Sequence, residues 1–338
     1  MALSKIRSDS VATGVIPEAK GKNILINGAA TVYQRGNQAT TNGGSVYFVD
    51  RFNVYHNSAA AVANLQQSTD TPSGQGFGNS MLIDVTTADT SIAAGEIAVL
   101  RQILEGQNLQ QLKYGTSSAE SVTLSFWVKS PKTGVHICEL WHLRSTVRTQ
   151  SQSYTVSAAN TWEKHSVTFS GDTSATLDND NAYTIAVQWG LFAGTDYNGS
   201  TLQTTWADST DQTKRYAGQQ NLFDSTSNNF YLTGVQLEVG DVASPVFEHE
   251  DYGTTLAKCK RYYEIVNRLI YPNAYSNVVL GDFSWEVEKR AQPTLALAAN
   301  GTNTGGHSFY VSLTAGGYIY KGSVNYDAVK YLGGDAEL

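Results

Sequence analysis

Charge is scarce in this chain. Only 16% of its 338 residues are Asp, Glu, Lys or Arg, and the formal balance is -7. A protein that grips nucleic acid needs a basic stripe to neutralise phosphates. The nearest thing here is Lys258-Cys259-Lys260-Arg261, which is short and set in an expected helix, so nucleic acid is excluded as a partner. Cysteine is rarer still. Cys138 and Cys259 are the two, far apart and without a CxxC, which leaves no zinc or dithiol redox motif. They read as two buried thiols in a reducing compartment, with a bridge between their segments as the alternative. Also missing are a GxSxG nucleophile turn, a phosphate-binding loop and an apolar run of membrane-spanning length. Met1-Ala2-Leu3-Ser4-Lys5-Ile6-Arg7 has no apolar core of the kind a signal peptide needs. Synthesis in a cytosol without membrane insertion is expected, and any work outside the cell requires another exit, such as lysis.

What is present favours strands. Thr, Ser, Asn, Gln, Gly, Tyr and Val dominate, which suits β-structure joined by polar turns. The most informative stretch is Phe230 to Gly240. Its apolar residues Phe230, Leu232, Val235, Leu237 and Val239 alternate, with one slip at Thr233-Gly234. That pattern predicts a half-buried strand with a local irregularity. Ser121 to Ser130 is the clearest strand, with Val122, Leu124, Phe126 and Val128 on its core face. Further strands are expected at Asn23 to Gly28, Ser45 to Tyr55, Ser80 to Thr86, Ala98 to Glu105, Val135 to Arg148, Ser151 to Val156, Trp162 to Phe169 and Ala182 to Phe192. Between Val49 and Phe52, Asp50-Arg51 is expected to be paired and hydrogen-bonded. A helix is predicted from Asp251 to Glu264, with Leu256, Cys259 and Tyr263 on one face. Strands resume at Ser276 to Leu280, Asp282 to Val287, Thr294 to Ala298, His307 to Leu313 and Tyr318 to Tyr320, before a small, polar end from Val329. The expected architecture is all-β: a large jelly-roll β-sandwich over residues 23–249, then one short helix and a small C-terminal β-module over 250–338. Residues 1–22 are too short and polar to bury a core of their own.

Several of these stretches resemble landmarks of bacteriophage virion proteins. They are Asn23-Ile24-Leu25-Ile26-Asn27-Gly28 with Gln34-Arg35-Gly36, Val49-Asp50-Arg51-Phe52, and Phe230 to Glu248 including Ser244-Pro245-Val246-Phe247-Glu248. Leu256 to Glu264 and the terminal Asp335-Ala336-Glu337-Leu338 complete the set. The proteins so resembled are tail fibres, receptor-binding proteins and head fibres. The resemblance implies a jelly roll like those of carbohydrate-binding modules, a homotrimer, and virion attachment through the arm 1–22. It implies host surface polysaccharide as the partner, with a structural head-fibre or capsid decoration role as the alternative. None of the landmarks is a binding or catalytic signature, so no functional residue is carried over.

Candidate chemistry is sparse. Glu139, Glu163, Asp172 and Glu238 are carboxylates with nothing in the sequence to set two of them across a cleft, and no enzyme activity is expected. His136 and His142 share a strand face but lack a third metal ligand. Asp178-Asn179-Asp180-Asn181 offers oxygens for a structural Ca²⁺ without a defined loop spacing, and no other cofactor is expected. Aromatics in polar surroundings are the better lead, because sugars present apolar faces to rings and hydroxyls to polar neighbours. Tyr197, Trp206 and Tyr216 in the polar insert 194–229 are therefore the expected carbohydrate contacts. Tyr271, Tyr275, Tyr318 and Tyr320 form a second group. The strand Phe230 to Gly240 reads as architectural, with no ligand of its own.

Overall fold

In the computed structural model of the protein the described residues are 23–143, 147–199, 201–266, 278–303, 307–312, 316–321 and 329–337. The arm 1–22 and the tyrosines Tyr271 and Tyr275 lie outside them. The chain forms a jelly-roll sandwich of two large antiparallel sheets. Its strands are β1 (Gln38–Ala39), β2 (Gly44–Tyr47), β3 (Phe52–His56), β4 (Val62–Ser68), β5 (Ser80–Thr87), β6 (Ile97–Glu105), β7 (Val122–Lys129), β8 (Gly134–His142), β9 (Arg148–Val156), β10 (Glu163–Phe169), β11 (Tyr183–Ala193), β12 (Ala207–Asp208) and β13 (Asn229–Val239). Sheet one runs β1-β4-β5-β13-β7-β10 and sheet two runs β12-β9-β8-β11-β6-β3-β2.

The core lies between the sheets, where the alternating apolar residues of each inner face meet. Val122, Leu124, Phe126 and Val128 are all fully buried there. Phe126 meets Trp189 of the opposite sheet edge-to-face at 5.8 Å and Tyr154 at 5.0 Å. Such ring pairs add a fraction of a kilocalorie or more to the area they bury. Two short 3₁₀ turns, Gly106–Asn108 and Gln110–Leu112, follow β6 and bury Leu109 and Leu112 as plugs at the end of the sandwich.

The slip in β13 is a bulge. Its pairing with β7 shifts between Thr233 and Gln236, and Gly234 takes a φ of +61°. The strand is central, hydrogen-bonded to β5 on one side and β7 on the other. The run Asn23 to Gly28 is not a strand but a series of bends. Backbone bonds from Ile24 N to Leu237 O and from Val235 N to Gly28 O tie it to β13, and side chains fill the gaps: Asn23 donates to Val235 O and accepts from Leu237 N, and Gln102 bonds Ile26 N and O. Asp50 and Arg51 are both buried, but not with each other. Asp50 accepts from Gln34 N and Nε2, and Arg51 pairs with Glu337.

The helix α1 (Tyr252–Lys260) is capped by Asp251, whose side chain accepts from Thr254 N at 3.0 Å. It ends earlier than expected, and its buried residues are Thr255 and Cys259, with Leu256 only half-buried. Tyr263 starts a strand instead. The strands beyond are β14 (Tyr263–Val266), β15 (Val278–Phe283), β16 (Thr294–Asn303), β17 (His307–Ser312), β18 (Gly316–Lys321) and β19 (Val329–Asp335). They form two three-stranded sheets, β14-β19-β16 and β15-β18-β17. Tyr318 and Tyr320 lie in β18, and the small polar end is strand β19. After β15 the chain holds a buried lysine, Lys289, which pairs with Glu264. Both cysteines are buried and free.

Candidate functional site

The outward face of sheet two carries an unusual row. Register places Ser151, Glu139, Gln188, Arg101, Asn53 and Tyr47 side by side across β9, β8, β11, β6, β3 and β2. All six are polar, and the first five are buried. Buried polar groups are stabilised by bonding, and the insert that follows β11 supplies the partners of Glu139 at the middle of the row. The fully buried Glu139 carboxylate accepts from Arg215 Nε and Nη2 at 2.7 Å each, from Tyr216 Oη at 2.9 Å and from Gln188 Nε2 at 3.1 Å. The Glu139 carboxylate holds the Arg215 guanidinium in its charged form more firmly than usual, against the cost of burial. Arg101 donates to Asn53 Oδ1 at 3.0 Å and to Ser45 Oγ at 2.8 Å, with its guanidinium 5.1 Å from the Tyr55 ring.

The insert packs directly on the strand backbone. A side chain at Gly190 would place its Cβ 2.4 Å from Gln219 Oε1 and 2.8 Å from Tyr216 Cδ1, so glycine is required for this approach. Tyr216 joins Ile97, Val99 and Ile137 in a second, smaller apolar cluster, against which Tyr55, Tyr197 and Leu202 pack.

Beside that cover the face opens at two rings. Trp141 on β8 and Tyr183 on β11 are half-buried and meet edge-to-face at 6.0 Å. The Arg215 guanidinium lies 5.1 Å from the Trp141 ring and 5.8 Å from that of Tyr197. Among the described residues Trp141 Nε1 and Tyr183 Oη find no hydrogen-bond partner, and burial pushes the Tyr183 hydroxyl up to about 12. Both atoms are shielded from solvent, so what the pair offers outward is ring surface.

The three expected carbohydrate contacts part company. Tyr216 is fully buried beneath the insert and presents no ring face to solvent, because its hydroxyl is needed at Glu139. Trp206 is half-buried against the main core beside His142, donating to Ser170 O at 2.6 Å and packing on Tyr114 at 5.8 Å. Tyr197 alone lies at the ring pair, through Arg215. Trp141 and Tyr183 were legible only as strand residues, since nothing local marks two aromatics on different strands as neighbours.

The other candidates have structural duties. Glu163 accepts from Ser157 N and Ala158 N, Asp172 from Arg148 Nε, and Glu238 from Ser244 N. His136 and His142 do share a face, but it is the inner one, and both are fully buried. Burial pushes His136 down. Asn181 and Arg290 exchange hydrogen bonds through each other's carbonyls, so the Asp178 to Asn181 turn joins the sandwich to the C-terminal region. Among the described residues no group of three or more His, Cys, Asp or Glu side chains is arranged to hold a metal ion. Among them, too, no helix is long and apolar enough to cross a membrane.

No protein-family model matches the chain, and no curated protein matches it. Solved structures do. One is the enzymatically active domain of tailspike protein 4 of bacteriophage CBA120, at 11% identity and a TM-score of 0.31, covering 64% of this chain and 21% of that one. A putative sugar binding protein from Bacteroides thetaiotaomicron matches at 12% identity and a TM-score of 0.36, covering 64% and 100%. TmCBM61 in complex with β-1,4-galactotriose matches at 12% identity and a TM-score of 0.30, covering 64% and 97%. The chain thus spans about a fifth of the tailspike domain it matches.

Proposed function

We propose that this chain is a non-catalytic fibre protein of a phage virion that attaches to host surface polysaccharide through the outward face of sheet two. The observation that carries the binding site is the Trp141–Tyr183 ring pair, flanked by Arg215 and Tyr197 and supported from beneath by the buried Glu139 row. The rings supply flat apolar area for a sugar face. Arg215, bonded to Glu139 and Gln212, braces the Trp141 ring from beside it. The row beneath fixes Arg215 in place, so little side-chain freedom is lost on binding. The virion role is supported by the landmark stretches of the sequence, from Asn23 to the terminal Asp335-Ala336-Glu337-Leu338. A homotrimer would repeat a weak site threefold and gain avidity, with the arm 1–22 docking on other virion proteins.

The test is binding of purified protein to host cells and to their isolated polysaccharide. Trp141→Ala and Tyr183→Ala are each expected to weaken binding about tenfold or more, whereas Trp206→Ala leaves it unchanged. Unaltered binding in Trp141→Ala would remove this face from consideration. No binding by the wild type, with the chain imaged on the capsid shell, would instead make it a decoration protein.

A further inference from the structure

Sheet one has a second ring-lined place, on its own outward face and directly over the β13 bulge. We infer that the cleft between residues 74–79 and 244–249 is a binding site for a single neutral sugar ring. It encloses about 230 Å³, below the usual range for drug-sized ligands, which suits one ring rather than an extended chain.

Its construction follows from the bulge. Gly234 at φ +61° has no Cβ, and one placed there would sit 2.6 Å from Phe77 Cζ. The Phe77 ring therefore rests on the strand backbone. Thr233 Oγ1 donates to Asn79 O at 2.7 Å and ties that loop down. The opposite wall is tied just as firmly. Glu248 N donates to Gln236 Oε1 at 2.7 Å, Ser244 N to Glu238 Oε2 at 2.9 Å, and Lys164 Nζ to Pro245 O at 3.2 Å. Phe77, Phe247 and His249 then form a closed group of three rings, with centroids 5.1, 5.3 and 4.9 Å apart. Trp127 lines the sheet side of the cleft, half-buried, between Thr233 on β13 and Lys164 on β10.

The lining selects the ligand. An indole on one side and the phenyl rings on another offer flat apolar area, and Ser125, Gln75 and His249 offer hydrogen bonds at the edges. No carboxylate lines the cleft, and its one lysine already donates to a carbonyl. A cationic ligand would find no counter-ion, whereas a neutral pyranose finds both kinds of surface it presents. Two loops held by four side chains of the sheet also keep the site formed before a ligand arrives, which lowers the cost of binding. The site stands whether or not the ring pair of sheet two binds glycan.

Saturation-transfer NMR of the full chain separates the two faces. The probes are methyl β-glucopyranoside, methyl β-galactopyranoside and N-acetylglucosamine. The Trp141→Ala variant serves as background, so that any signal it gives comes from elsewhere than sheet two. At least one probe is expected to receive saturation in that background. Adding Trp127→Ala should reduce the signal about tenfold, and adding Trp127→Phe, which keeps a ring, should preserve most of it. If the Trp127→Ala combination fails to fold by circular dichroism, Phe247→Ala in the same background replaces it, with the same loss expected. No saturation of any probe in Trp141→Ala, or a signal unmoved by removing these rings, overturns the inference. A drop from wild type to Trp141→Ala reads the sheet-two site separately.

Discussion

Glu337 is ion-paired with Arg51, 286 positions earlier in the chain, and the two side chains are only 4% and 1% exposed. Arg51 lies flat over the Tyr262 ring at 3.4 Å and donates to Ile103 O at 2.6 Å. Arg35 sits beside it over Tyr263 at 3.7 Å and bonds Asp335 at 2.7 Å. Two consecutive tyrosines thus hold two arginines, and Asp335 at the end of β19 and Glu337 just beyond it supply the acids. Removing one partner of a buried pair strands the other's charge, at a cost of about 3–5 kcal/mol. Glu337→Gln should lose that much in urea denaturation. A loss below about 1 kcal/mol would mean that solvent reaches Arg51 after all.

Asp50, the buried neighbour of Arg51 in the chain, should make stability depend on pH. Burial pushes its carboxyl up to about 6, and the two hydrogen bonds from Gln34 hold it only partly down. A raised carboxyl means that the native state binds the proton more tightly than the unfolded chain does. The stabilisation from that proton is complete below about pH 4 and lost as pH rises through about 6. Relative to Asp50→Asn, the wild type should lose up to roughly 3 kcal/mol over that interval. Denaturation series at pH 4, 5, 6 and 7 measure it, and a constant difference between the two proteins would contradict the assignment.

Gly28 should not tolerate even a methyl group. It is buried, and a Cβ on it would stand 1.9 Å from Val235 O, while its own carbonyl accepts from Val235 N at 2.9 Å. Overpacking of this kind costs about 1–3 kcal/mol, and here the obstacle is backbone in the β13 bulge. Gly28→Ala should therefore lower the melting temperature by several degrees. Gly43→Ala, where nothing lies within 4 Å but φ is +75°, provides the comparison for backbone strain alone.

Where burial imposes a period, the sequence was readable. β7 alternates because only one of its faces meets the opposite sheet, and all four apolar residues named from its pattern are in the core. β4 has too little contrast to see: Ala63 and Leu65 are its buried apolar residues, among Asn64, Gln66 and Gln67. β19 hides behind Gly333 and Gly334, the second of which is small because the Trp285 ring occupies the space a Cβ would need. The apolar run after Asn23 looked like a strand, but the Asn23 side chain satisfies the β13 groups that a ladder would have used. The candidate site was hardest. Tyr216 reads as a surface ring among polar neighbours, and only the glycine at 190 on another strand lets it descend to Glu139. Likewise Trp141 and Tyr183 become neighbours through strand register, which local pattern does not carry.

The clasp of Arg35 and Arg51 by Asp335 and Glu337 also sets a clock. A ribosome adding about 5–20 residues per second releases Arg51 roughly 15–60 s before Glu337 exists to neutralise it. During that interval the nascent sandwich holds two guanidiniums that it cannot bury without an acid. Completion of the seam therefore waits for Asp335 and Glu337, and a chain that stalls before Asp335 would leave Arg35 and Arg51 without these acids.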